Sequence, residues 1–393
     1  MTPSEALGTL RAARARVDLD RLAENYRALV AFSPVPLMPV VKADAYGHGA
    51  APVSTQALRS GASGLCVALA QEGVALRQAG IDAPILVLSE QPPSQLEAML
   101  AARLVPTVYS RSYVDAIAAA LAARAPSEPC ELHVKVDTGM QRVGARPEAV
   151  GELLEHIATL SPAAKLTGLF THLACADEPG RDANERQLDA FGEVLAALDP
   201  VDGRLPVVHA ANSAAALAIP ESRFDLVRAG IAIYGISPGR GVDELTQPLR
   251  PVMSVRGRVS HVKRVTAGSH VSYGWRHRFE HDTTVATVPI GYADGVPRRL
   301  GTLPDRPGAD VLVGGRRCPI VGVVTMDQLM VDVGSLDQSV AVGDEVVLIG
   351  RQGDECIRAE DWAERLGTIG YEVVCGIGAR VPRVVHSATS DAS

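Results

Sequence analysis

The stretch Pro39-Val40-Val41-Lys42-Ala43-Asp44-Ala45-Tyr46-Gly47-His48-Gly49 runs a short apolar segment into a lysine and then into a turn punctuated by glycine. The segment is too short for a helix and is bounded by Pro and Gly, so it reads as a buried strand with Lys42 at its C-terminal end. A lysine walled by apolar residues loses hydration. That favours the neutral amine, which attacks aldehydes to form a Schiff base. Read alone, Lys42 is as well a surface lysine that follows a strand; the rest of the chain decides.

Outward from this stretch a strand-then-helix rhythm sets in. Apolar runs stand at Leu37–Val41, Leu65–Leu69, Ile85–Leu88, Val105–Tyr109, Leu132–Val136, Leu166–Phe170, Val207–His209 and Leu226–Ile233. Ala- and Leu-rich segments of helical period lie between most of them, as at Ser112–Arg124, Pro147–Leu160 and Asn184–Leu198. A short strand at Ala13–Asp18 and a helix over Leu19–Phe32 precede the first run. Eight strands with intervening helices predict an α/β fold, a (β/α)8 TIM-type barrel. The alternative is an open doubly wound sheet, but no G-x-G-x-x-G follows the first strand.

Polar residues cluster after these runs rather than before them. Lys42 and Tyr46 follow the first, Lys135, Asp137 and Arg142 the fifth, and His172 the sixth. His209, Asn212 and Ser213 mark the seventh, and Arg228 and Gly230 the eighth. In a barrel all of them converge at the C-terminal mouth, where active sites sit.

The pattern changes near Gly239. β-branched alternation takes over at Val252–Val265, Thr284–Pro289, Ala309–Val313, Pro319–Val324, Met330–Val333, Glu345–Ile349 and Val373–Val384, with a single helix expected at Ala359–Leu366. The domain reading is a barrel over 1–245, whose opening residues up to Asp18 are open to packing on the tail, a mainly-β domain over 246–386, and a small polar tail at 387–393 expected to be disordered.

Acids exceed bases by seven, 45 against 38, so charge points neither to nucleic acid nor to an anionic membrane as partner. No apolar stretch is long enough to span a bilayer, and Met1 to Arg16 has no apolar core of a secretory signal. The cysteines at 66, 130, 175, 318, 356 and 375 have no metal-like spacing and read as buried small hydrophobes in a reducing compartment. A cytoplasmic protein is expected.

Taken together, VVKADAYGHGA, HVKVDTGMQRVG, FTHLACAD, HAANSAA, VRAGIAIYG, VSYGW, PIGYADG, VVTMDQLMVDV and TIGYEVVCGIGARVP stand in one order, within a resemblance that runs from about Val17 to Arg383. In them the chain resembles the alanine racemases, pyridoxal 5'-phosphate (PLP) enzymes built from a barrel and a β-rich tail. The resemblance implies that Lys42 is the Schiff-base lysine and one catalytic base, with Tyr273, in VSYG, as the second base on the opposite face of the substrate Cα. An ordinary phenol titrates near 10, so ionising one at neutral pH costs roughly 4 kcal/mol unless cations help. The helpers implied are Arg142, which is also placed by the substrate carboxylate, His172, placed under the cofactor ring, and Arg228.

Arg228 aligns against the pyridine nitrogen. A guanidinium does not give up its proton, so that nitrogen is expected to stay unprotonated. The phosphate contacts implied are Tyr46, Ser213, Gly230, Ile231 and Tyr371, with Asn212 also among the cofactor-binding residues; Met326 matches a backbone contact to the substrate and Tyr292 a tyrosine at the pocket entrance. Lys135 matches a lysine that carries a carbamate in many members, the alternative being a bare lysine paired with Asp137. No metal is implied.

The sequence departs from the usual pattern at Gly370, where asparagine is common, at Ala229 for proline and at Thr325 for cysteine. The activity implied is interconversion of L- and D-alanine for peptidoglycan synthesis, in a homodimer with shared sites. A racemase for serine or a longer side chain, a barrel-type PLP decarboxylase and a non-catalytic PLP carrier are the alternatives. Arg228 and Tyr273 argue against the decarboxylase, and the presence of the tail against the carrier.

Overall fold

The computed structural model describes residues 11–124, 128–198 and 205–387. These divide into two compact units, one spanning Leu22–Arg250 and the other joining the residues up to Arg21 to those from Pro251 onward.

Strand β1, Arg14–Asp18, belongs to the second unit; the first is built on β2 (Leu37–Pro39), β3 (Leu65–Val67), β4 (Ile85–Val87), β5 (Val105–Val108), β6 (Cys130–Lys135), β7 (Ala164–Phe170), β8 (Val207–His209) and β9 (Val227–Ala229). Strands β3 to β8 pair in sequence order, all parallel, and β2 pairs parallel with β9. Val40 bridges Cys66 to join β2 to β3, and the Arg228 amide donates to the Ala211 carbonyl at 3.0 Å to draw β9 toward the end of β8. This is the eight-stranded barrel. Most of its strands are buried along their whole length, so they read as continuous apolar runs rather than alternating ones.

The helices coat the outside with one apolar face each. Val150–Ala158 buries Val150, Leu153 and Ile157, the i, i+3, i+7 stripe of an amphipathic helix. The run Leu226–Ile233, expected as one strand, stops at Ala229. Gly230 turns the backbone and Ile231–Tyr234 forms a 3₁₀ turn closed by Gly235 in the left-handed region.

The second unit carries a ten-stranded sheet. Its order is His261–Val265, Thr283–Val288, Leu329–Asp332, Arg316–Val321, Asp310–Val313, Glu345–Gln352, Met253–Arg258, β1 and Arg383–His386, with Glu355–Ile357 paired to Glu345–Gln352. Only the last pair on the main path, β1 with Arg383–His386, is parallel.

One expectation fails here. Val373–Val384 is not a strand throughout: Gly370–Cys375 is a helix that buries Gly370, Val373 and Val374, and only Arg383–His386 pairs in the sheet. The i, i+3, i+4 spacing of those buried residues suits a helical turn, and β-branching alone does not decide. Of the six cysteines only Cys66 and Cys318 are buried, and Cys375 is exposed. Ser387 is buried against Asp20, while the rest of the tail expected to be disordered, 388–393, lies outside the described residues. No described helix is long and apolar enough to cross a membrane.

Candidate active site

At the end of β2 the chain does something L-residues avoid. Ala43, Asp44, Ala45 and Tyr46 all have φ between 52° and 54°, a full left-handed turn directly after Lys42. Each such residue costs roughly 1–2 kcal/mol, so contacts must hold it. The Ala43 amide donates to Glu72 Oε1 at 2.7 Å, and Glu72 Oε2 also takes the amides of Ala68 and Leu69 after β3. Asp44 Oδ1 accepts from the Ala50 amide at 2.7 Å. The ring of Tyr46 lies 5.1 Å from that of Tyr234, whose hydroxyl donates to the Val40 carbonyl at 2.9 Å. Lys42 and Tyr46 are thereby set at the mouth together.

Next to them Gly230 leaves a cradle. A Cβ built there would stand 2.7 Å from the Tyr46 hydroxyl and 3.8 Å from Ser213 Oγ. Ser213 Oγ accepts from the Gly230 amide at 2.8 Å and from the Ala232 amide at 3.3 Å, and Asn212 caps the short helix Ser213–Ala218 by accepting from the Ala215 amide. Hydroxyls and amides from three loops converge on a spot kept open by a glycine, a donor set that suits a phosphate.

Two residues before Gly230, a dense group of nitrogens gathers around Arg228. Arg228 is 3% exposed and donates to the carbonyls of Thr171 at 2.7 Å, His209 at 3.1 Å and Ala210 at 3.1 Å. It also lies 2.6 Å from His209 Nδ1 and 3.3 Å from His172 Nδ1. Burial pushes its guanidinium down to about 10, which still leaves a cation at neutral pH. Lys135 is buried, its ammonium 5.5 Å from the Phe170 ring centre. Burial, then Arg228 and Arg142, push it down to about 8. Asp137 only partly offsets this; its Oδ1 is taken by the amides of Gly139 and Gln141, both at 3.0 Å, in the loop that carries Arg142.

Burial, with Arg228 next, drives His172 and His209 well below the usual imidazole range and His133 to about 4. These rings are therefore neutral in the folded chain. Unfolded imidazoles bind protons below about 6.5, so the unfolded chain takes up more protons than the folded one as the pH drops from there toward 4. Stability is complete above that window and is lost on descending through it. The urea midpoint is expected to be clearly lower near pH 5 than near pH 7; equal midpoints would mean that the folded rings already carry protons.

Tyr273 lies in a 3₁₀ turn, Tyr273–Trp275, and is 73% exposed; Tyr292 and Met326 are also exposed. The Tyr292 amide donates to the Thr325 carbonyl and the Ala293 amide to the Met326 carbonyl, both at 3.0 Å, while Ser272 Oγ donates to the Val323 carbonyl at 2.7 Å. Neighbouring loops thus present all three side chains. Tyr371 is partly buried at the start of the helix Gly370–Cys375.

Sequence reasoning missed what holds these loops. The fully buried Asp294 takes Arg11 at 2.6 Å, Arg380 at 3.2 Å and the Gly291 amide at 3.0 Å, and Arg380 continues to Asp327 at 2.7 Å. Asp294→Asn is expected to cost about 2–3 kcal/mol, at the low end for a buried charge because both guanidiniums keep some exposure. Urea denaturation checks this, and a change within about 0.5 kcal/mol, typical of surface sites, would remove the hub role.

Two family models match the chain: "Alanine racemase, N-terminal domain" over residues 17–238 and "Alanine racemase, C-terminal domain" over residues 252–385. An alanine racemase of Symbiobacterium thermophilum is 46% identical over 385 residues, covering 98% of this chain and 100% of the relative. Among solved structures, the alanine racemase of Streptomyces lavendulae aligns with a TM-score of 0.88 at 38% identity, covering 97% of this chain and 98% of the other. That of Bacillus anthracis, with L-Ala-P bound, aligns with a TM-score of 0.86 at 39% identity, covering 96% of each.

Proposed function

The chain belongs to the alanine racemase family, and from that premise we propose that it interconverts L- and D-alanine with PLP, moving the Cα proton between two bases. The observation that carries this reading is the mouth of the barrel: a lysine on a strained turn, a cradle of hydroxyls and amides kept open by Gly230, and the buried guanidinium of Arg228 two residues before it. These residues fit the cofactor. PLP, when bound, supplies the electron sink that makes the Cα proton removable.

The protein's own groups do the rest. Lys42 holds the cofactor and serves as base on one face; Tyr273 serves on the other. Tyr46, Ser213, Gly230, Ile231 and Tyr371 would hold the phosphate end, Asn212 would bind the cofactor with them, and His172 would lie under the ring. Arg228, which donates and never accepts, would hold the cofactor's pyridine nitrogen without a proton and so keep the electron sink weak. A weak sink suits a racemase, because it shortens the time in which the proton is returned to the wrong atom. Arg142 and the Met326 backbone take the substrate carboxylate, and Tyr292 narrows the entrance toward a methyl side chain.

At about 8, Lys135 is free amine in roughly one molecule in ten at pH 7. Free amine adds to carbon dioxide, forming an N–C bond and releasing a proton, and the resulting carbamate anion suits a site crowded with Arg142 and Arg228. The reading includes a homodimer in which the tail of one subunit completes the barrel mouth of the other, cytoplasmic placement and a role in supplying D-alanine for peptidoglycan.

The test is incubation with L-alanine and PLP in deuterium oxide. D-alanine by chiral chromatography, with deuterium at Cα by mass spectrometry, is the expected result; L-alanine unchanged and unlabelled would sink the proposal.

A further inference from the structure

The guanidinium of Arg228 donates to His209, whose ring meets His133 in turn, and the protons of these two imidazoles are placed by elimination. A guanidinium has no acceptor. His209 Nδ1, 2.6 Å from Arg228, must therefore accept, and the ring proton of neutral His209 sits on Nε2. His209 Nε2 lies 3.0 Å from His133 Nδ1, so it donates there, and the proton of His133 is left on its own Nε2. Donation runs one way, from Arg228 to His209 to His133.

The barrel is shaped around this line. Phe170 stacks on His209 with ring centres 4.7 Å apart and planes 8° from parallel, and its ring lies 4.9 Å from the Arg228 guanidinium carbon. His133 pairs with Gly168 across β6 and β7, where any Cβ would stand 2.4 Å from the imidazole. Only glycine leaves room for that ring.

We propose that His209, backed by His133 in the slot at Gly168, is a positioning residue that sets the guanidinium plane of Arg228 and so the face Arg228 turns to the barrel mouth. The proposal rests on the functional reading for what Arg228 then faces, but the hydrogen-bond line stands without it. Asparagine and glutamine separate the two bonds. In His209→Asn the side-chain oxygen replaces Nδ1 and keeps the acceptor for Arg228; in His209→Gln the amide nitrogen replaces Nε2 and keeps only the bond to His133.

His209→Asn is expected to hold kcat within about tenfold of the parent, while His209→Gln loses about 10–100-fold, the size usual for groups that orient a ligand from behind, with KM little changed. Melting temperatures are measured on both, and a kcat loss that merely tracks melting overturns the proposal. So does equal loss in the two variants. Two-bond proton–nitrogen correlation spectra of the histidine-labelled protein give a readout independent of turnover: both rings should carry the proton on Nε2. A proton on Nδ1 of either ring defeats the relay even in a fully active enzyme, and the expected tautomers in a protein without racemase activity would leave the relay standing while removing the functional reading.

Discussion

Replacing Lys42 by alanine is expected to lower D-alanine formation by at least about 10⁴-fold and to abolish the visible absorbance of lysine-bound cofactor. Two functions would fall together, because on the proposed mechanism the same amine holds the cofactor and returns a proton to one face of Cα. The surroundings sharpen the expectation. Lys42 opens the left-handed turn and is placed by backbone, since its neighbour Ala43 is tied through Glu72 to the turn after β3. A free amine added from solution would lack that placement, so it should restore only a small part of the rate. Lys42→Ala retaining more than about a hundredth of the parent activity would remove it from the chemistry.

Tyr273→Phe is expected to lower the rate in both directions by about 10²–10⁴-fold while leaving the cofactor absorbance intact. The side chain stands exposed on its 3₁₀ turn, so losing the hydroxyl should not disturb folding. Loss in one direction only would point to a different partner for the second proton. The pair of variants also tests subunit sharing. Mixed Lys42→Ala and Tyr273→Phe chains should regain activity if sites are shared as proposed, because one site of each heterodimer would then carry both native bases. No recovery on mixing, with heterodimers shown to form, would confine each site to one chain.

Much of the fold was legible because barrel strands are buried along their length and stand out as apolar runs. All eight runs that were expected as strands contain one. Their ends were less legible. Val40 and Val41 continue the β2 run as far as Lys42, yet the strand itself stops at Pro39, and Leu226–Ile233 breaks at Gly230, where the Ser213 hydroxyl takes the backbone amide. Val373–Val384 misled because two adjacent valines suit a short buried helix as well as a strand.

For the site, residue type and position after a strand drew attention to Lys42, Arg228 and the others at the barrel mouth. Of the groups that brace them, His209 stood out after the seventh run, but its partner His133 and the carboxylate of Glu72 left little trace. His133 and His209 are seventy-six residues apart, and Glu72 looks like an ordinary helix cap until its second oxygen is seen on Ala43. Asp294 sits in a motif already singled out, but its arginines come from the two ends of the chain. Alternation could have offered one hint, since His133 and Lys135 share a face of β6.

The turn from Ala43 to Tyr46 has a consequence for handedness. Its four residues occupy the region where mirror-image amino acids rest at ease and ribosomal ones do not. A synthetic chain bearing D-alanine at 43 and 45 would hold this loop more firmly than the natural one does. The segment proposed to grip the cofactor of an enzyme that makes D-alanine is thus a place where D-alanine would itself be the better building block.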